Sequence, residues 1–233
     1  PQVFAEQLTL IEHDLFVRVR PYELLHQGWL KKDKEKRSPN VLKMARFSTK
    51  LSRWIVTEIV GEEKQARREK ICAHFVSIAK ELEKLHNYNA IMEILAAFSN
   101  AAVGRLAKMW EGLTKNFPKR AKELEELWAL MRTEQNWVDY RNALSNAAPP
   151  KIPYMGLVLT DLVFIEEGNN DRTSNGEVNW TKCQILAEVL NSVALCQQES
   201  YFACQPNEAV CQYLFCDARV LSETDSYKLS LAI

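Results

Sequence analysis

Along most of the chain the apolar residues return every three or four positions, the period of a helix with one buried face. Between residues 5 and 16, Leu8, Ile11 and Leu15 mark one such stripe, and Pro21 stands where a second short helix can begin with its φ already fixed. Residues 31–37 are a charged, solvated run, after which Ser38 offers a cap and Pro39 suits the first turn of a helix reaching about residue 59. Gly61 ends that pattern. The clearest amphipathic helix follows over 62–85, where Ile71, Phe75, Ile78, Leu82 and Leu85 step by four, three, four and three. Its opposite face mixes Glu, Lys and Arg, which predicts a solvated surface with helical charge pairs.

Further helices are predicted over 87–98, 103–113, 117–131 and 137–147, the last ended by Pro149 and Pro150. The run 154–165 is apolar apart from Thr160 and Asp161 and then turns abruptly polar at Glu166, Glu167, Gly168, Asn169 and Asn170. Periodicity alone leaves this run open between helix and strand. Beyond it Asn179 can cap a helix to about residue 198 carrying Ile185, Leu186, Val189, Leu190 and Val193, so that residues 157–198 form a hairpin of two elements. Residues 206–215 predict another helix with Pro206 in its first turn, and Ser222, Glu223, Thr224 and Asp225 resemble a capping box before the last one. There is no internal repeat, no useful strand alternation and no Gly/Ser-rich linker. The expectation is one all-α domain over residues 1–233.

Composition narrows the function more than the fold. With 30 basic and 30 acidic residues the formal charge is zero, leaving no basic excess to neutralise nucleic-acid phosphates. No apolar run approaches the roughly 20 residues that span a bilayer, so direct membrane insertion is not expected. The six cysteines include no Cys-x-x-Cys pair and no zinc-ligand spacing, and read as reduced thiols in a cytoplasmic setting. His13, His26, His74 and His86 are scattered, and no nucleophile elbow, phosphate loop or His-Glu-x-x-His pattern occurs. Glu166 and Glu167 are poor partners for acid–base work, since adjacent helical residues point about 100° apart. Neither metal nor cofactor is expected, and covalent catalysis has no support.

Several ordered blocks carry a resemblance. They are residues 5–12 (Ala-Glu-Gln-Leu-Thr-Leu-Ile-Glu), Ser38-Pro39-Asn40, Asn87-Tyr88-Asn89, Tyr140-Arg141, residues 149–156 (Pro-Pro-Lys-Ile-Pro-Tyr-Met-Gly) and the ending Tyr227-Lys228-Leu229-Ser230-Leu231. In this order they resemble the catalytic domains of Ras guanine-nucleotide exchange factors, and the likeness spans nearly the whole chain. It implies an all-helical bowl from which a helical hairpin protrudes to displace the switch I segment of a Ras-family small GTPase. It implies tightest binding to the nucleotide-free GTPase. By the same likeness Val163 stands where an apolar side chain enters the magnesium region and Glu167 where a carboxylate competes with the nucleotide's phosphates.

The resemblance also matches Leu42, Arg46, Met92, Trp137 and Tyr154 to a groove that anchors switch II. It brings Ser99 and Asn100 to a partner-contact position, where many relatives carry Asn and this chain carries the shorter Ser99. Val163 is one methylene smaller than the Leu of close family members, and Trp137 replaces a smaller aromatic. Taken without the likeness, Val163, Leu42, Met92 and Tyr154 read as core, Arg46 as a surface ion-pair partner and Glu167 as a solvated helix end. A scaffold that keeps the fold but docks partners without promoting exchange is the alternative, with Ser99 its best support.

Overall fold

A computed structural model describes residues 1–214 and 218–233. The described residues hold α-helices and short 3-10 turns, and no strand beyond two isolated bridges. The chain opens with α1 (Gln2–Val17), two 3-10 turns (Pro21–Leu24 and Gly28–Leu30), the single turn α2 (Lys34–Arg37) and α3 (Pro39–Val60). Helix α4 (Gln65–Lys84) then packs against α1, α3, α5 (Tyr88–Ser99), α7 (Ala107–Asn116) and α8 (Pro118–Leu130), which makes it the hub of the core. Between α5 and α7 sits the one-turn α6 (Ala101–Gly104), so the helix expected over 103–113 is divided at Arg105 and Leu106.

The stripe on α1 is buried as the pattern requires, with Ala5, Leu8, Ile11, Leu15 and Phe16 all in the core. The supposedly solvated face of α4 is not wholly so. Arg68 and Glu69 are buried: the Arg68 guanidinium donates to the carbonyls of Glu62 (2.7 Å) and Glu63 (2.9 Å), and Glu69 accepts from Gln65 (3.0 Å) and Asn116 (2.8 Å). Charged groups are tolerated there because each finds a partner.

The start of α3 also differs from expectation. Ser38 makes no side-chain cap, and its hydroxyl instead donates to the Glu23 carbonyl at 2.7 Å. The orphan N–H groups of the first turn are taken by the buried Glu23 carboxylate, which accepts from Asn40 N at 2.7 Å and Val41 N at 3.3 Å. A carboxylate at a helix N-terminus also meets the positive end of the helix dipole.

After α8 come α9 (Glu134–Asn146), α10 (Met155–Gly168) and α11 (Trp180–Cys196), followed by α12 (Glu208–Gln212) and α13 (Glu223–Ala232). Gln135, Asn136 and Trp137 lie in the left-handed region, so regular helix in α9 begins only after them. The open choice at 154–165 resolves as helix: α10 and α11 pack together as the expected hairpin. Of α10 only Met155, Leu157 and Leu162 are buried, while Phe164 is 70% exposed and Trp180, at the start of α11, 72%. The helix expected over 206–215 is shorter, and its last residue lies outside the described ones, as does Cys216. Ser222 caps α13 by accepting from Asp225 N at 3.1 Å.

Candidate functional site

The site is built where α10 leaves the core. Asn87 caps α5 by accepting from Ala90 N at 3.1 Å, and the segment before α10 is laid against this corner by Tyr88 N to the Ile152 carbonyl (3.1 Å) and Ile152 N to the His86 carbonyl (3.0 Å). Two residues on, Asn89 is buried and faces three ways. Its amide nitrogen donates to Glu12 (3.0 Å) and Glu93 (2.8 Å), and its oxygen accepts from Met155 N (3.2 Å), the first residue of α10. Tyr140 of α9 adds a second fix, its buried hydroxyl accepting from Tyr154 N at 2.8 Å. The start of the hairpin is thus tied to α5 and α9 by buried hydrogen bonds, which are costly to leave unmade.

Against this frame lies a cleft of about 430 Å³, lined on one side by Met44, Ala45 and Ser48 of α3, on another by Met92, Glu93 and Asn100, and closed by Tyr154, Met155 and Gly156. Tyr154 is half-buried and held by the Trp137 ring, whose centroid is 5.6 Å away. The Tyr154 ring folds directly over Gly156, where any Cβ would collide with it. Met92, Asn100 and Tyr154 therefore converge on one cleft. Leu42, Arg46 and Ser99 are sequence neighbours of lining residues but do not line it, and Trp137 backs Tyr154 from behind. Arg46 is exposed and ion-paired with Glu35 of α2. The Asn100 side chain is engaged as the cap of α6, accepting from Ala102 N at 3.0 Å.

The wall residue Glu93 and its neighbour Glu12 form a buried acidic pair. Both carboxyls are held above their ordinary range, Glu12 by burial and Glu93 by burial and then by the charge of Glu12. Their outer oxygens, Glu12 Oε2 and Glu93 Oε2, have no hydrogen-bond partner among the described residues. Two carboxyls in one dry site cannot both ionise cheaply, so the pair retains a proton well above the usual carboxylate range. Neither residue was singled out from sequence. A signal existed: Glu93 is the one charged residue in the largely apolar α5.

The other end of α10 carries Val163 and Glu167. Val163 is half-buried and packs against the core, whereas Glu167 is exposed and receives only a long hydrogen bond from Gln27 at 3.4 Å. They stand four positions apart and so share a helix face. Between them and the cleft, Asp161 fixes α10 to α9 through a 2.8 Å ion pair from Arg141. No group of His, Cys, Asp and Glu with metal-holding geometry occurs among the described residues. Among those residues no helix is long and apolar enough to cross a membrane.

The amino-acid sequence itself is matched by known proteins. The profile of the RasGEF domain matches residues 3–184. The chain belongs to the RasGEF domain family. It is 34% identical over 232 residues to Ras guanine nucleotide exchange factor M of Dictyostelium discoideum, covering 99% of this chain and 25% of that protein. It is 36% identical over 232 residues to exchange factor P of the same organism, covering 99% and 15%. With the mouse Ras-specific guanine nucleotide-releasing factor 1 it shares 34% over 229 residues, 98% of this chain and 18% of that one. The chain thus spans a quarter or less of these curated relatives.

Proposed function

We propose that this chain is an exchange module that binds a Ras-family small GTPase, opens its nucleotide site and promotes release of GDP, so that the more abundant GTP rebinds. Family membership supports this, as do the names of the relatives. The observation that carries the mechanism is that one rigid helix joins two different surfaces. From Met155 in the cleft to Glu167 is twelve residues, or about 18 Å at a helical rise of about 1.5 Å per residue.

The cleft suits capture. Its accessible lining is mostly apolar, with Tyr154 locked by Trp137, and such fixed aromatic anchors carry much of the energy of protein interfaces. Arg46 on the neighbouring face of α3 is free to exchange its solvent-exposed Glu35 partner for a partner's carboxylate at small cost. The far end suits displacement. A carboxylate at Glu167 repels phosphate, and the aliphatic Val163 offers no oxygen to a hard cation, so their approach disfavours bound nucleotide and magnesium. The module drives nothing uphill. It acts by preferring the empty GTPase to the loaded one, since equal affinity for two states shifts no equilibrium. It is a regulator of the GTPase, active in the cytoplasm and brought to membranes by the GTPase or by other parts of a longer protein.

The test is release of a fluorescent GDP analogue from a panel of Ras-family GTPases, with and without the chain. Acceleration for at least one member is expected. Binding without acceleration, and equally stable complexes with loaded and stripped GTPase in gel filtration, would favour the docking scaffold.

A further inference from the structure

The free end of the hairpin does not hang loose. At the last turn of α10, Glu166 Oε1 accepts the backbone N–H of His26 at 3.0 Å, and the His26 ring lies 3.7 Å from the same oxygen. Its other oxygen meets the Lys182 ammonium of α11 at 2.9 Å, and that ammonium also reaches Asp171 in the connecting loop at 2.7 Å. Four segments converge here: the corner after the first 3-10 turn, the end of α10, the loop between α10 and α11, and the start of α11.

Two features set this cluster apart from ordinary surface pairing. The Lys182 and Glu166 side chains are only 5% and 10% exposed, and a lysine is almost never buried so fully unless paired. Burial works against both charges. Yet the Lys182 ammonium and the His26 N–H hold the Glu166 carboxyl below its usual range, and Asp171 and Glu166 hold the ammonium above its own. The second feature is backbone. His26 and Gln27 adopt φ of 54° and 53°, a left-handed conformation unfavourable for residues with a Cβ. This corner aims the His26 N–H at Glu166 and the Gln27 amide at Glu167. Strained backbone of this kind persists where its surroundings hold it.

We propose that Lys182 and Glu166 are positioning residues that, with the His26 N–H, latch the free end of the hairpin to the body and hold Val163 and Glu167 in register with the cleft. The latch is a property of this chain alone, whereas the use of that register rests on the exchange reading. The root of the hairpin is fixed by Asn89, Tyr140 and Arg141, so opening the latch lets the far end swing while the cleft keeps its shape. A displacement of about 1 Å at the acting groups can cost about a hundredfold in rate.

The experiment places probes through non-natural residues at Ser174, in the hairpin loop, and Lys119, on α8, and measures their distance distribution in the full chain. Lys182→Met is expected to broaden that distribution. In parallel it should lower exchange at saturating chain by about a hundredfold while the apparent KM for the GTPase changes by less than about threefold. Glu166→Gln keeps an acceptor for the His26 N–H and should fall between wild type and Lys182→Met on both readouts. It decides the matter if the lysine variant does not fold. An unchanged distance distribution overturns the latch, and a broadened one with unchanged exchange overturns the positioning role. If the variants broaden the distribution but wild type accelerates no GTPase, the exchange reading fails and the latch stands.

Discussion

The two ends of α10 solve opposite problems. At the root, Met155 and Tyr154 donate their backbone N–H groups to buried partners, and an aromatic pair seals the cleft beside them. At the far end Glu167 and Phe164 are exposed, and order comes from a few charged groups around Lys182. Buried, satisfied hydrogen bonds give a surface of fixed shape, suited to recognition. Exposed charge and apolar surface on a projecting helix have little to do for folding. They can be set entirely by what they meet in a partner. Capture and ejection can thus be assigned to separate ends of one element, and substitutions at each end should fail in different ways.

The largest effect is expected at the far end. Val163→Asp should slow GDP release at saturating chain by about a hundredfold, equivalent to about 2.7 kcal/mol of lost transition-state stabilisation, and keep the helical circular dichroism spectrum, with Tm lowered because Val163 is half-buried against the core. Unaltered release would remove Val163 from the mechanism. At the root, Tyr154→Ala should weaken binding of the nucleotide-free GTPase by about 2 kcal/mol, roughly thirtyfold, measured by titration calorimetry. Gly156→Ala should reproduce part of that loss, because the new methyl group pushes the Tyr154 ring off its seat. Arg46→Glu is expected to reduce affinity by a smaller factor and to make the loss salt-dependent. Its present ion pair is exposed and contributes under about 1 kcal/mol to folding.

The smallest effect concerns stability. Because Glu12 and Glu93 have folded-state pKa values above their unfolded ones, the folded chain binds more protons, and stability falls as pH rises from the unfolded pKa toward the folded one. Glu93→Gln removes one titrating group while keeping an acceptor for Asn89. It should raise stability above neutral pH by about 1 kcal/mol, or about 2–4 °C in Tm for a chain of this size, with the gain vanishing near pH 4. A Tm difference independent of pH would mean that the pair does not share a proton.

Much of the body is legible from hydrophobic period, since α1 buries its stripe and α4 most of one, whereas of the apolar residues read on α11 only Val193 is fully buried. The hairpin's first helix is not legible, for a physical reason: residues 154–165 are apolar apart from Thr160 and Asp161, so no polar face marks the helical period and a buried strand reads the same. Tertiary capping is equally hidden. Glu23 lies 15 residues before Ser38, and nothing local announces that it, and not the serine, serves the start of α3. In the site, Met92, Asn100 and Tyr154 were named through family resemblance and do share a cleft. Asn89, within the block Asn87-Tyr88-Asn89, ties that cleft to the hairpin, but its partners Glu12, Ser48 and Met155 come from three distant helices. The left-handed corners at 26–27 and 135–137 carry no glycine, so the sequence gives no local sign of either.

The central claim is that one helix links a capturing cleft to an ejecting tip. It is tested most directly by measuring two quantities on Tyr154→Ala and Glu167→Ala: affinity for the nucleotide-free GTPase, and the GDP-release rate at saturating chain. Tyr154→Ala is expected to lower affinity by about thirtyfold and to reach a near wild-type rate at saturation. Glu167→Ala should keep most of the affinity and lose at least about tenfold in saturated rate. Equal losses in both quantities for both variants would contradict it.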